Sequence, residues 1–337
     1  MKIIVLGTGS WGTALAQVLA DNGHEAVLWG IADEEIDDIN QNHHNSKFFE
    51  TPISEKLRAT KDLSEARDAD VILAAVPTMA LETVLTQAAG QVEKPVIVIN
   101  VAKGFHPVTH ERLSEVIKKI MPKDKTKAVV SLIGPSHAEE VILRLMTAIN
   151  AVSDNTEAAE TVQKLFSNDY FRVYRNDDVI GAEVGVALKN VIAIASGILE
   201  GIGQGDNARA ALMTRGLAEM TRFGTALGGR EETYLGLDGV GDLIVTCTSR
   251  HSRNFMAGYQ IGREGAEKFF AENKKTVEGI FACRVVYEEA KKRGIEMPIT
   301  EQIYAVLYEG KTPKDAARAL MARELKPETS DVYSSNH

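Results

Sequence analysis

Hydrophobic residues follow two different rhythms along this chain of 337 residues. In the first half they come as short runs rich in β-branched side chains: Lys2-Ile-Ile-Val-Leu6, His24-Glu-Ala-Val-Leu-Trp29, Asp70-Val-Ile-Leu-Ala-Ala-Val-Pro77, Pro95-Val-Ile-Val-Ile-Asn-Val101 and Ala128-Val-Val-Ser-Leu-Ile-Gly134. Continuous apolar runs of this length mark strands buried on both faces. Helical stretches separate them, among them Thr13 to Ala20, closed by Asn22-Gly23, and residues 34–42. Such alternation predicts an α/β fold, a Rossmann-like doubly wound parallel sheet covered by helices on both faces. From about Asp178 onward the strand signal stops, and helical patterns such as Asn207 to Leu227 and Lys314 to Glu324 take over. The expected organisation is a first domain over 1–177, an all-α domain over 178–325 and a polar, disordered tail over 326–337.

Length supports the same division, because one core rarely serves so many residues. A hydrophobic share of 44% and a charged share of 25% are those of an ordinary globular protein. The formal charge of −9 repels phosphate backbones, so no nucleic acid partner is expected, and an anionic ligand needs its own cluster of cations. Cys247 and Cys283 lie far apart without metal-type spacing, which suits a reducing compartment, and buried filler is the simpler reading of Cys247. The apolar run at Lys2–Leu6 is too short for a secretory core, and no stretch reads as a membrane span. A cytoplasmic protein without a metal site is the expectation, and a homodimer is the default assembly.

Chemistry is concentrated at the ends of the strand runs and in the helical half. Gly7-Thr-Gly9-Ser10-Trp11-Gly12 follows the first strand directly and opens a helix. In that order the first glycine permits the tight turn, the second lets a pyrophosphate approach, and Gly12 lets helix and strand pack, with free amides at the helix start facing the anion. The end of the second strand, where an acid would hold the ribose of NAD or an arginine the extra phosphate of NADP, reads Gly30-Ile31. Asp33 is close, but it equally suits a helix start, and the choice of cofactor stays open. Lys103 and Gly134-Pro135-Ser136-His137-Ala138-Glu139 end two later strands, where open α/β sheets bind ligands. Ser136 and Glu139 have the spacing of a capping box.

Lys189 lies in the apolar helical stretch Gly185-Val-Ala-Leu-Lys-Asn-Val-Ile-Ala-Ile194. Gly185, Val186, Ile192 and Ala193 are its neighbours one turn away, so no local carboxylate can pair with it. It is either a lysine snorkelling from a helix edge or a desolvated proton-transfer group. Glycine-dense loops follow at Gly201–Gly205, with a helix cap expected at Asp206 or Asn207, and at Gly236–Gly241, where Asp242 reads equally as a cap. The segment Thr246-Cys-Thr-Ser-Arg250-His-Ser252-Arg253-Asn254 is rich in donors and cations, as a phosphate grip requires.

Taken together, Asn176-Asp-Asp-Val-Ile-Gly181, Ala187-Leu-Lys-Asn-Val-Ile-Ala193, Gly205-Asp-Asn-Ala-Arg-Ala-Ala211, Arg215-Gly-Leu-Ala-Glu-Met220, Gly239-Val-Gly-Asp-Leu243 and Ser252-Arg-Asn254 resemble the bacterial-type NAD(P)-dependent glycerol-3-phosphate dehydrogenases. The likeness runs from the first glycine loop to about residue 325. It implies interconversion of sn-glycerol 3-phosphate and dihydroxyacetone phosphate with NAD or NADP, in the service of glycerophospholipid synthesis. It further implies that Lys189 is the catalytic proton acceptor, and that Lys103, Gly134, Ser136, Asp242, Ser252, Arg253 and Asn254 surround the phosphorylated substrate in the cleft between two domains. Gly7, Gly9, Ser10, Trp11, Gly12, Lys103, Ala138, Arg253, Val277 and Glu278 would face the cofactor. Ala102, where the family often has Ser or Thr, and Phe281-Ala-Cys283 depart from its pattern. A ketopantoate reductase-like enzyme shares the two-domain plan but needs a carboxylate grip, and a nucleotide-sensing regulator would turn over neither ketone.

Overall fold

A computed structural model describes residues 1–328, so most of the tail expected to be disordered lies outside the described residues. The chain forms two compact units, Met1–Val179 and a second from Ile180 on. The first contains one eight-stranded sheet: β1 (Lys2–Leu6), β2 (Glu25–Trp29), β3 (Arg58–Thr60), β4 (Val71–Ala74), β5 (Val96–Asn100), β6 (Thr126–Ile133), β7 (Thr147–Val152) and β8 (Phe171–Asn176). Their spatial order is β3-β2-β1-β4-β5-β6-β7-β8. The order reverses between β1 and β4, which makes that point the ligand crevice of an open α/β sheet.

Alternation along β1 divides the core between the two faces of the sheet. Ile3 and Val5 pack with Leu15, Val18 and Leu19 of the helix Ser10–Asp21, while Ile4 and Leu6 pack with Leu81 and Leu85 of the helix Thr78–Gln91. Five strands lie close to where the apolar runs place them; β3, β7 and β8 are additions. The sheet was expected to be parallel throughout, but β6 and β7 run antiparallel. The chain between them, 134–146, contains only one helical turn, Ala138–Val141, instead of a crossover helix long enough to bring β7 back parallel.

The second unit is helical throughout its described residues. Its centre is the helix Val179–Gly201, buried from Gly181 to Ile198. Contrary to the expectation that no stretch has membrane-spanning character, this helix is long and apolar enough to cross a bilayer by length and composition. Its apolar window is 89% buried within the protein, which identifies a core helix. It packs at very short range on the helix Arg253–Glu264: a Cβ added to Gly197 would stand 2.0 Å from the Phe255 carbonyl oxygen, and one added to Gly258 would stand 2.0 Å from that of Ile194. Bare Cα atoms on both sides permit this crossing, and it fixes the start of the second helix, where Arg253 and Asn254 lie. The helix Asp206–Ala226 begins after Gly205, so Asp206 is its first residue instead of its cap.

Candidate active site

The best-defined chemical feature of the helical unit is a buried ion pair. Lys189 Nζ lies 2.5 Å from Asp242 Oδ1 and donates a hydrogen bond of 3.0 Å to Thr246 Oγ1. The two charged side chains are 3% and 1% exposed, so the amine does not snorkel to water. Asp242 is the first residue of the helix Asp242–Thr248 and Thr246 lies one turn further along the same face. The Thr246 hydroxyl donates in turn to the Asp242 carbonyl at 2.6 Å. Asp242 Oδ2 is buried without a hydrogen-bond partner. An unsatisfied carboxylate oxygen beside a buried amine is an acceptor available to an incoming hydroxyl.

Sequence reasoning missed Thr246 as a partner of Lys189, although its spacing of four from Asp242 was the signal. The neighbouring Cys247 thiol is pushed up by burial, as is that of Cys283, which leaves both as packed filler.

Ser252, Arg253 and Asn254 come together at one helix start. Ser252 caps it, its Oγ accepting from Phe255 N at 3.2 Å. Asn254 Oδ1 accepts from Gly279 N at 2.8 Å, and the Arg253 guanidinium, 62% exposed, stands 3.8 Å from the Glu278 carboxylate. Val277 and Glu278 begin the next helix, Glu278–Arg293. A Cβ on Gly279 would meet both the Asn190 carbonyl oxygen, at 2.6 Å, and Asn254 Oδ1, at 2.8 Å. This close packing holds the Arg253 loop against the helix that carries Lys189.

In the sheet unit the predicted residues gather at the carboxyl edge of neighbouring strands. Gly7, at φ +123°, turns the chain after β1, and a Cβ there would lie 2.6 Å from the Ala75 carbonyl oxygen. One on Gly12 would lie 2.5 Å from the Gly7 carbonyl oxygen. Gly9, in contrast, faces open space with nothing within 4 Å of a built Cβ, ahead of the first turn of a helix that has no side-chain cap. That cradle fits a dinucleotide pyrophosphate, with Ser10 and Trp11 at its rim. Buried Asn45, absent from the sequence expectations, braces it, Nδ2 donating to the Thr8 carbonyl and to Thr13 Oγ1, both at 2.9 Å.

Lys103 follows β5 in a loop tied by Thr78 Oγ1 to its carbonyl at 3.2 Å, and its amine makes no hydrogen bond or ion pair among the described residues. Gly134 ends β6 at φ +146°, where a side chain would collide with Ile149. The capping box expected from Ser136 and Glu139 does not form. Ser136 Oγ donates to the Gly134 carbonyl at 3.1 Å, and the turn of helix beginning at Ala138 has no side-chain cap. The cap position of that turn is His137, one residue later than a capping box on Ser136 requires, so the Ser136 hydroxyl shapes the strand-end turn instead.

Residues 2–159 match the family described as the N-terminus of NAD-dependent glycerol-3-phosphate dehydrogenase, and residues 178–318 match its C-terminus. Glycerol-3-phosphate dehydrogenase [NAD(P)+] of Streptococcus uberis is 51% identical over 330 residues, 97% of this chain and 98% of that protein. Its counterpart in Enterococcus faecalis is 49% identical over 97% of both chains. The crystal structure of glycerol-3-phosphate dehydrogenase from Coxiella burnetii superposes with a TM-score of 0.88 at 35% identity, covering 96% of this chain and 99% of that one. The glycine cradle, the buried lysine and the full-length matches agree: this chain belongs to the glycerol-3-phosphate dehydrogenase family of NAD(P)-dependent oxidoreductases.

Proposed function

We propose that this chain interconverts sn-glycerol 3-phosphate and dihydroxyacetone phosphate, and that Lys189 moves the proton at the C2 oxygen. The observation that carries this reading is the buried Lys189–Asp242–Thr246 cluster. The Asp242 carboxylate 2.5 Å away favours the ammonium, the form needed to protonate the alkoxide that develops when the ketone is reduced. In alcohol oxidation the neutral amine accepts the hydroxyl proton. Asp242 steadies the charge that Lys189 gains, and Thr246 fixes the direction of its Nζ.

Gly7, Gly9, Ser10, Trp11 and Gly12 would hold the NAD(P) pyrophosphate, with Lys103, Ala138, Arg253, Val277 and Glu278 completing the cofactor site. When bound, the nicotinamide supplies the hydride acceptor for oxidation and the hydride donor for reduction. Arg253 and Asn254, with Ser252, Lys103, Gly134 and Ser136, would orient the phosphorylated substrate. The ketone-reducing direction would supply glycerol 3-phosphate for glycerophospholipid synthesis. A cytoplasmic homodimer is the proposed setting, supported for compartment by two buried free thiols.

The test is reduced-cofactor oxidation with dihydroxyacetone phosphate and, separately, with ketopantoate. Turnover of the phosphorylated ketone alone is expected. Preference for ketopantoate, or cofactor binding with no turnover of either, would overturn the assignment.

A further inference from the structure

Resting on that reading, we infer that this chain selects NAD(H) over NADP(H), and that Glu35 sets the choice. The two cofactors differ only at the adenosine ribose, which carries a 2′-hydroxyl in one and a 2′-phosphate in the other. In a doubly wound sheet this ribose lies beside the first glycine loop, at the end of β2.

Glu35 is physically joined to that loop. Thr8, between Gly7 and Gly9 and only 5% exposed, donates its hydroxyl to Glu35 Oε2, while Lys47 pairs with Oε1 at 2.5 Å. The carboxylate is therefore fixed at 11% exposure against the cradle, where it can accept from a ribose hydroxyl. Asp33, the acid noticed in the sequence, is instead 76% exposed and paired with Lys61 at 2.5 Å.

The charge around this position is unsuited to a phosphate. Residues 30–47 include five carboxylates, Asp33, Glu34, Glu35, Asp37 and Asp38, and one lysine. Lys47 and Lys61 are both already engaged by carboxylates. Ile31, the first residue beyond Gly30, offers an apolar side chain 79% exposed. The segment also carries His43 and His44, the latter 3.9 Å from Asp38, so a 2′-phosphate carrying a charge of about −1.5 to −2 would meet a held carboxylate and no unpaired lysine or arginine in this segment. A 2′-hydroxyl meets an acceptor.

The only two tryptophans, Trp11 and Trp29, flank the cradle, one in the glycine loop and the other at the end of β2, so their fluorescence reports binding without turnover. Titration of the full chain with NADH and NADPH should give a dissociation constant about tenfold or more lower for NADH, a difference of about 1.4 kcal/mol per decade. Glu35→Gln should narrow that ratio, and Ile31→Arg, at an exposed position that leaves folding intact, should raise NADPH affinity. Equal or tighter NADPH binding by the unaltered chain, or a ratio unmoved by both substitutions, overturns the inference while leaving the dehydrogenase assignment intact. Binding of neither nucleotide would overturn both.

Discussion

Replacing Asp242 with Asn removes a charge without removing volume, and it leaves the Lys189 ammonium buried without its counter-ion. The pair is separated by 2.5 Å at 3% and 1% exposure, so solvent screens it little. Removing one partner of such a pair costs about 3–5 kcal/mol. Thr246 still accepts from the ammonium at 3.0 Å, which places the expected loss near the lower end, about 3 kcal/mol. Lys189→Met alone strands the Asp242 carboxylate and should cost a similar amount. The double substitution removes both charges and should cost well under the sum, with a coupling energy within the roughly 0.5–3 kcal/mol range found for residues in direct contact. Urea unfolding followed by far-UV circular dichroism on the four proteins of this cycle measures each term. Additive losses, or an Asp242→Asn loss below about 1 kcal/mol as at an exposed pair, would refute the claim that the two charges depend on each other in a water-free core.

Gly258→Ala should destabilise the helical unit severely, by about 3 kcal/mol or more, because its Cβ meets backbone 2.0 Å away and cannot be relieved by a rotamer change. A normal melting temperature would contradict the close helix crossing. Arg253→Ala should raise KM for dihydroxyacetone phosphate by about one to two decades, the loss of one charge-assisted hydrogen bond of roughly 1.5–3 kcal/mol, an effect read in steady-state rates. An unchanged KM would remove Arg253 from the phosphate grip. Burial pushes the Glu219 carboxyl up to about 7, although Ile299 N, Thr300 N and Thr300 Oγ1 all donate to it. A folded-state value above the ordinary 4.5 means that the native protein holds the proton longer, so stability falls as pH rises from about 4.5 to 7. Glu219→Gln should flatten that decline in pH-dependent melting, and an unaltered slope would refute it.

Much of the sheet unit was legible because its strands are buried on both faces and therefore read as uninterrupted apolar runs. β7, Thr-Ala-Ile-Asn-Ala-Val, has small and polar residues in that run, and the edge strand β8 alternates Phe171, Val173 with exposed arginines and a tyrosine. Neither resembles the uninterrupted apolar runs of β1, β4 and β5, and their pairing partners lie beyond the reach of a local pattern. The same limit applied at the candidate site. Lys189 stood out because a cation interrupts an apolar helix, but its partners are contributed by another helix, Thr246 being 57 residues away. Asp242 at a helix start looked like a cap because local spacing cannot distinguish capping from long-range pairing. Ser136 misled for a related reason: the capping-box spacing was present, but the helical turn begins one residue later, with His137 at its cap position. Glu35 was hidden in a run of acids, and its bond to Thr8 and its burial, neither visible in a local pattern, separate it from Asp33.

The most direct test of the account is Lys189→Ala assayed two ways on the same preparation. Tryptophan quenching should show NADH bound with unchanged affinity, while kcat for dihydroxyacetone phosphate reduction falls by about 10²–10⁴-fold, the usual contribution of a positioned general acid. Near-normal kcat in a folded, cofactor-binding variant would contradict the assignment of proton transfer to this buried amine.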